Sequence, residues 1–190
     1  MSVVEVRRSP VLGLPVVTYR VMSGDPRGPF CIPFELSGME PLGLNLMGPV
    51  RQLNMSQTRL AHTTRGLHVS NTGKYCFAPL EGAGFWNPVV DLTGPASPTY
   101  GGWEAFELVP GTALYVPPGY GNGLQALGDG AVYLYMLDGD FDPQGERVVD
   151  LSDPDIGIAW PNPTLEVSAK DAAGMSLLEY TRQLRGATDR

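Results

Sequence analysis

The stretch KYCFAPLEGAGFWNPVVDL, residues 74–92, contains two short apolar runs that a glycine-rich segment separates. Similar runs (WEAFELV, ALYVPP, LQAL and AVYLYML) follow between residues 103 and 137, each bounded by Gly, Pro, Asn or Asp. A spacing of about 8–12 residues between such runs is typical of the short strands in an all-β sandwich or barrel. The sequence therefore predicts an all-β fold.

The segments on either side of this region extend the same pattern. VVEV and PVVTYRV within residues 1–22 predict strands, and residues 49–60 alternate as a strand does. Helical spacing of apolar residues occurs only near the C-terminus and predicts a short helix over residues 175–185. The glycine-rich segments 82–84, 101–102 and 119–123 match no phosphate-binding loop and are predicted to be turns. One domain covering residues 1–190 is the simplest organisation, although residues 36–50 have no clear assignment.

Composition restricts the partners of the chain. Its 190 residues carry a formal net charge of −7, with 43% hydrophobic and 17% charged residues. This balance argues against nucleic acid as a partner, because phosphate binding needs clustered Lys and Arg. An anionic small molecule needs only a few placed arginines and stays possible. Cys31 and Cys76 show no CxxC spacing and are expected to be reduced, buried thiols.

The chain shows no sign of membrane targeting. Its N-terminus, MSVVEVRRSP, lacks the apolar core of a signal peptide. No run reaches 18 apolar residues, so no membrane span is expected. A cytoplasmic location is the resulting expectation.

The stretch TRGLHVSN, residues 64–71, contains one of only two histidines. His68 could be a structural imidazole, a metal ligand or a base, since imidazole titrates near neutral pH. A metal site is disfavoured because His62 and His68 are six residues apart, with no third histidine. In a regular strand Arg65 and His68 would point to opposite faces, unless the backbone bends at Gly66.

Two further segments contain residues suited to acid–base chemistry. Tyr133 and Tyr135 alternate within one predicted strand, so their rings are either core or directed into a pocket. Asp171 would raise the pKa of His68 and orient its ring if the two met, but nothing in their spacing shows that they do.

Many stretches together resemble one family, the nucleotide-sugar epimerases typified by dTDP-4-dehydrorhamnose 3,5-epimerase. In family order these are DPRGPF (25–30), RQLNMSQT (51–58), RGLH (65–68), GK (73–74), VDL (90–92), SPTYGGW (97–103), YVPPGYGNG (115–123), YLY (133–135), DPQGE (142–146), DPDIGIAWP (153–161) and SAKD (168–171). The resemblance covers about residues 10–180. It implies a cupin-type jelly-roll barrel without a metal, usually a homodimer, with the active site inside the barrel.

The same resemblance implies a reaction and its residues. The substrate is a nucleotide-linked 4-keto-6-deoxyhexose, and no cofactor is needed because the C4 ketone is the electron sink. By family position His68 is the base, Asp171 its carboxylate partner, and Tyr135 the opposing acid. Lys74 matches the lysine that holds the developing oxyanion. The positions that match nucleotide, diphosphate or sugar contacts are Arg27, Phe30, Gln52, Asn54, Ser56 and Arg65.

The chain also departs from the family pattern. Ile32 stands where the family has a glutamate that contacts the nucleobase of the substrate, and Asn122 replaces a second active-site histidine. Phe141 stands where the family has a tyrosine; Asn122 and Phe141 are retained here as candidate substrate contacts. The segment before Lys74 is shorter than usual, which leaves Cys76 as an alternative on the same strand face. These departures predict a specialised relative, as among enzymes of antibiotic deoxysugar synthesis, with inversion at one carbon, another nucleotide or a modified sugar.

Three function classes follow from these observations. The leading one is an epimerase acting at C3, C5 or both carbons of a nucleotide-linked sugar. The second is a repurposed cupin isomerase or cyclase with a non-nucleotide substrate, which Ile32 and Asn122 motivate. The third is a non-catalytic binding protein. It is the weakest of the three, because His68, Asp171 and Tyr135 are all retained.

Overall fold

The computed structural model describes residues 3–40, 49–140, 142–143 and 145–188. Within these ranges the chain forms thirteen strands and three helices. The strands are β1 (Val3–Arg8), β2 (Pro15–Tyr19), β3 (Val21–Met22), β4 (Phe30–Cys31), β5 (Gln52–Thr58), β6 (Thr64–Val69), β7 (Lys74–Phe77), β8 (Phe85–Asp91), β9 (Trp103–Leu108), β10 (Thr112–Val116), β11 (Tyr120–Ala126), β12 (Ala131–Leu137) and β13 (Arg147–Val148). The helices are α1 (Leu36–Met39), α2 (Ala169–Ala172) and α3 (Leu177–Thr188).

Two antiparallel sheets face each other and enclose the main core. One has six strands in the order β1-β2-β10-β7-β12-β5, and the other has five in the order β13-β6-β11-β8-β9. Their facing side chains, such as Leu114 and Tyr133 from the first and Phe85 and Leu108 from the second, form one buried cluster. This pairing of two sheets is that of a jelly roll. The predicted all-β, cupin-type jelly roll with a C-terminal helix is therefore confirmed.

Each sheet is also covered on its outer face. Apolar residues of β2, β7 and β10 pack with Met39 of α1, and those of β6 and β8 pack with Tyr180 of α3. Helix α3 begins two residues later than predicted, at Leu177, and continues to Thr188. A capping box fixes this start: the Ser176 Oγ accepts from the Glu179 amide at 3.2 Å, and the Glu179 carboxylate accepts from the Ser176 amide at 2.9 Å.

The glycine-rich segment 119–123 was predicted to be a turn, and this was wrong for most of its length. Residues 120–126 form β11, a central strand of the five-stranded sheet. Neighbouring side chains explain the glycines: a Cβ on Gly121 would lie 2.7 Å from Leu92, and one on Gly123 would lie 2.9 Å from Leu67. The glycines therefore allow close packing on the outer face rather than a change of direction. Of the unassigned segment 36–50, residues 36–39 form α1 and residues 41–48 lie outside the described residues.

Candidate active site

A cavity of about 140 Å³ lies between the two sheets. Each sheet contributes four of the side chains that line it. From the six-stranded sheet these are Ser56, Lys74, Tyr133 and Tyr135, and from the five-stranded sheet they are Arg65, His68, Asn122 and Leu124. Seven of the eight carry a polar atom, so this part of the barrel is a polar cavity within an apolar core.

An irregularity at Gly66 directs both Arg65 and His68 into this cavity. His68 pairs with Asn122 and Arg65 with Leu124, so β6 has one more residue than β11 over this interval. Such a bulge reverses the alternation of side chains beyond it. Gly66 has a φ of 110°, in the region that favours glycine, and a Cβ there would lie 2.7 Å from the carbonyl oxygen of Asn122. The bend that the sequence required at Gly66 is therefore present.

His68 meets the carboxylate of Asp171 at the edge of the cavity. Nε2 of His68 lies 2.8 Å from Oδ1 of Asp171, and the Gly66 amide donates to Oδ2 at 3.2 Å. Burial alone would raise the pKa of Asp171, but the hydrogen bonds from His68 and Gly66 hold it below its usual value. The ionised carboxylate can only accept a hydrogen bond, so it favours the tautomer with its proton on Nε2 and the lone pair of the neutral imidazole on Nδ1.

Glu146 is a neighbour of His68 that the sequence reasoning did not identify. Its Oε1 lies 3.8 Å from Nδ1 of His68, and its side chain is only 13% exposed. Its other oxygen forms an ion pair with Lys170. The only available signal was its position in DPQGE, one of the stretches that carry the family resemblance. His68 therefore lies between two carboxylates, Asp171 on Nε2 and Glu146 on Nδ1.

Lys74 extends across the cavity from β7. Its Nζ donates to Oδ1 of Asn122 at 3.1 Å and lies 5.0 Å from the centre of the Tyr135 ring. Burial lowers the pKa of Lys74. Cys76, two residues along the same strand, is completely buried in the core cluster and does not line the cavity. Of the two alternatives left open by the sequence, Lys74 is therefore the one that faces the cavity.

Both tyrosines of β12 line the same cavity. The Tyr133 hydroxyl donates to Oδ1 of Asn122 at 3.3 Å, so one amide oxygen accepts from both Tyr133 and Lys74. The Tyr135 ring packs 5.3 Å from that of Tyr133. Burial raises the pKa of Tyr135, so its phenol is protonated at neutral pH. A phenol on one sheet thus faces a cavity that contains an imidazole from the other sheet.

Arg65 and the polar face of β5 supply further hydrogen-bond donors. Nε of Arg65 and Nδ2 of Asn54 are buried without a hydrogen-bond partner among the described residues. Gln52 donates to Oδ1 of Asn54 at 2.7 Å, and Ser56 follows on the same face of the strand. Buried donors without a protein partner are rare in folded proteins, so these two are free to bind water or a ligand.

The remaining predicted contacts lie apart from this cavity or cannot be placed. Arg27 pairs with Asp25 and is largely exposed, and Phe30 is 56% exposed. Both line a separate surface depression of about 450 Å³ between β3 and β4, next to which Ile32 is partly exposed. Phe141 lies outside the described residues.

Within residues 3–40, 49–140, 142–143 and 145–188, no three His, Cys, Asp or Glu side chains lie together as metal ligands would. In the same part of the chain, none of the helices combines the length and the apolar character needed to cross a bilayer.

Comparison with known proteins gives the family of the chain. Residues 9–179 match the family model for dTDP-4-dehydrorhamnose 3,5-epimerase. A dTDP-4-dehydrorhamnose 3-epimerase of Streptomyces niveus is 32% identical over 160 residues, which cover 82% of this chain and 75% of that protein.

Solved structures give the same result at the level of the fold. NovW, a 4-keto-6-deoxy sugar epimerase from the novobiocin cluster of Streptomyces spheroides, superposes with a TM-score of 0.82 at 30% identity, covering 97% of this chain and 90% of NovW. ChmJ, a 3'-monoepimerase of Streptomyces bikiniensis crystallised with dTDP-quinovose, superposes with a TM-score of 0.81 at 28% identity, covering 95% of this chain and 90% of ChmJ. The chain therefore belongs to the dTDP-4-dehydrorhamnose 3,5-epimerase family of carbohydrate epimerases.

Proposed function

We propose that this protein inverts C3, C5 or both carbons of a dTDP-linked 4-keto-6-deoxyhexose during deoxysugar biosynthesis. The observation that carries the proposal is the placement of His68 and Tyr135 on opposite sheets around one cavity. Inversion needs a proton to leave one face of the sugar ring and another to arrive on the opposite face. A base and an acid on facing walls meet this requirement.

The first step is removal of a proton by His68. The C4 ketone acidifies the hydrogens on C3 and C5, and Nδ1 of His68 takes one of them. The electrons of the broken C–H bond form a C=C bond to C4, and the former carbonyl oxygen becomes an enolate oxygen. Asp171 and Glu146 flank the resulting imidazolium and offset its positive charge.

The enolate oxygen needs a cation, and Lys74 is the proposed one. Its ammonium has Asn122 as its hydrogen-bond acceptor, and no carboxylate of the described residues lies within ion-pair distance of it. Burial penalises this cation, and negative charge that develops beside it would offset the penalty. Lys74 would thus stabilise the enolate more than the ketone, which is the condition for a faster reaction.

Tyr135 completes the inversion in the second step. Its phenol donates a proton to the carbanionic carbon from the other face, and the enolate returns to the ketone. Tyr135 then regains a proton and His68 loses one by exchange with water. The acid and the base thereby return to their starting protonation states, and no step requires an oxidant, a reductant or a metal.

The size of the cavity indicates which part of the substrate enters it. Drug-sized ligands occupy about 300–1,000 Å³, whereas this cavity has about 140 Å³. We infer that the sugar ring enters and that the nucleotide lies outside. The unpartnered Nε of Arg65 is available for the charged diphosphate between them, a pairing for which guanidinium is well suited.

We also infer that the protein acts as a homodimer. β5 is the edge strand of the six-stranded sheet, and its outward side chains Leu53 and Met55 are 62% and 74% exposed. An exposed apolar edge strand is a template for pairing with another chain. A second copy of the chain would cover it.

The test is NMR of dTDP-4-keto-6-deoxyglucose incubated with the protein in deuterium oxide, with His68→Asn as the control. Wild-type protein should introduce deuterium at C3, C5 or both, and the pattern identifies the carbon that reacts. The His68→Asn variant should remain folded and introduce none. Retained exchange in this variant would overturn the assignment of the base.

A thermal-shift assay with dTDP separates two kinds of negative result. A raised melting temperature without exchange would indicate a different sugar on the same nucleotide. No shift with dTDP and no exchange would contradict the nucleotide-sugar proposal and favour a cupin isomerase with a non-nucleotide substrate.

A further inference from the structure

Among the described residues that line the cavity, Leu124 is the only one whose side chain has no polar atom. It is 5% exposed and belongs to the core cluster between the sheets. Asn122, two residues earlier on β11, faces the same cavity, whereas Gly123 between them faces outward against Trp160. Leu124 therefore forms a wholly apolar patch, whereas each of the other lining side chains carries a hydrogen-bonding group.

A 4-keto-6-deoxyhexose has one substituent that matches this patch. Its ring carries hydroxyls, a ketone and a glycosidic oxygen, all of which need hydrogen-bond partners in a closed cavity. The methyl group on C5 alone needs none. Resting on the proposed function, we propose that Leu124 contacts this methyl and makes the site selective for 6-deoxy sugars over sugars with a hydroxymethyl group.

The surroundings of Leu124 explain why a hydroxymethyl group would be rejected. Its neighbour across the strands is Arg65, which the proposed function assigns to the diphosphate, and behind it lies the apolar cluster with Phe85 and Cys76. The nearby Tyr133 hydroxyl already donates to Asn122. A C6 hydroxyl placed against Leu124 would lose its water and gain no partner from Leu124 itself, which is costly.

Three stable ligands isolate this interaction, because they differ only in the group on C5. dTDP-xylose carries hydrogen there, dTDP-6-deoxyglucose a methyl and dTDP-glucose a hydroxymethyl group. All three have a hydroxyl at C4, so none reacts. Isothermal titration calorimetry of the full-length protein, with dTDP as the reference ligand, gives their dissociation constants directly.

The expected order is clear. The 6-deoxy sugar should bind about 10-fold or more tightly than the xylose derivative, since one methyl in a fitted apolar pocket contributes about that factor. It should bind about 10- to 100-fold more tightly than the glucose derivative. Equal affinity for the methyl and hydroxymethyl ligands would overturn the proposal. Failure of dTDP and all three sugars to bind would instead contradict the proposed function itself.

Substitution at residue 124 tests the assignment to this side chain. Leu124→Asn keeps the approximate shape but adds an amide, and it should reduce the preference for methyl over hydroxymethyl to less than about 3-fold. Leu124→Met is the matched control and should keep the preference, because it stays apolar at similar volume. A wild-type preference in Leu124→Asn would overturn the assignment. Should the Asn variant not fold, Leu124→Ala provides the same comparison, with an expected fall in affinity for the 6-deoxy ligand alone.

Discussion

Nε2 of His68 lies 2.8 Å from Oδ1 of Asp171, although 103 residues separate them in the chain. The contact depends on the short helix α2, whose N-cap Ser168 accepts from the Asp171 amide at 3.1 Å. The second carboxylate oxygen accepts from the Gly66 amide of β6. Both oxygens of Asp171 are therefore held against the strand that carries His68, and the carboxylate favours the tautomer with the ring proton on Nε2.

Asp171→Asn should abolish most of the activity by changing this tautomer. An asparagine can present its NH₂ group to Nε2, which would move the ring proton to Nδ1 and remove the lone pair that accepts the substrate proton. We expect deuterium exchange to slow by at least about 100-fold, the usual contribution of general base catalysis. The measurement is exchange at C3 and C5 by NMR. A rate within about 3-fold of wild type would contradict this role, and an unchanged dTDP affinity would show that the pocket is intact.

Tyr135→Phe should separate proton removal from proton delivery. His68 is unaffected in this variant, so deuterium exchange should continue at a substantial rate. Formation of the inverted product should fall by about 100-fold or more, since the acid on the opposite wall is absent. Tyr133→Phe is the matched control, and its rate of product formation should fall less, because the Tyr133 hydroxyl already donates to Asn122. Equal losses of exchange and product in Tyr135→Phe would argue against Tyr135 as the acid.

Local patterns in the sequence predicted much of the fold for a physical reason. Strands such as 85–91 and 131–137 are short, mostly apolar runs bounded by turn residues, and such patterns depend on neighbours in sequence. The run LQAL predicted the second half of β11, but its first half was missed because contacts with Leu67 and Leu92 require its glycines, and no local pattern records these contacts. The capping box at Ser176 was visible in the sequence and would have corrected the start of α3.

The candidate site was predictable only through the resemblance. The meeting of His68 with Asp171 depends on how distant segments pack, and spacing in sequence carries no information about it. Glu146 was missed for the same reason, since its approach to His68 depends on the pairing of β13 with β6. Arg27 and Phe30 match the family motif, yet the fold of one chain places them in a separate depression.

Lys74→Met should stabilise the protein at pH 7. Burial lowers the folded-state pKa of Lys74 below the unfolded value of about 10.4, so the unfolded chain binds this proton more tightly. The destabilisation caused by the buried charge is fully present below the folded-state pKa of Lys74, and it is relieved as the pH rises towards the unfolded value of about 10.4. Replacing the buried charge should add about 1 kcal/mol or more to the free energy of unfolding, with Asn122 still accepting from Tyr133.

Urea unfolding at pH 7 and pH 10 measures this effect, and the gain should shrink at the higher pH. Lys170→Met is the control, because Lys170 is the other lysine of the chain and its side chain is 59% exposed. Removing this exposed ammonium relieves no desolvation cost and leaves the largely buried Glu146 without its ion-pair partner, so Lys170→Met should be no more stable than wild type. A Lys74→Met protein less stable than wild type at pH 7 would show that the ammonium is well compensated in the folded state.

Met55→Lys should dissociate the proposed dimer. A lysine at the centre of an exposed edge strand opposes pairing with a second chain. Light scattering coupled to size exclusion should give twice the chain mass of 20.4 kDa for wild type and the single mass for the variant. Val4→Lys tests the opposite edge strand, β1, where Val4 is 54% exposed, and should leave the dimer intact. Dissociation by Val4→Lys alone would move the interface to that edge.

Gly66→Ala should damage both stability and catalysis, because Gly66 forms the bulge that directs His68 into the cavity. Its φ of 110° disfavours any side chain, and a Cβ would lie 2.7 Å from the Asn122 carbonyl oxygen and 2.8 Å from Cα of Gly123. Gly28→Ala is a close control: its φ is 120°, but a Cβ there meets nothing within 4 Å. Gly28→Ala should therefore lower the free energy of unfolding only by the backbone strain, about 1–3 kcal/mol.

Gly66→Ala should lower the free energy of unfolding by at least about 1–3 kcal/mol more than Gly28→Ala does, because the backbone atoms of β11 cannot move aside as a flexible side chain would. Urea unfolding at one protein concentration gives the difference, since self-association also adds to apparent stability. Exchange activity should fall in Gly66→Ala beyond what its stability explains, because a shift in β6 moves Nδ1 away from the substrate. Equal losses of stability in the two variants would show that β11 adapts to the added methyl, and that the close approach at Gly66 is not what fixes the bulge.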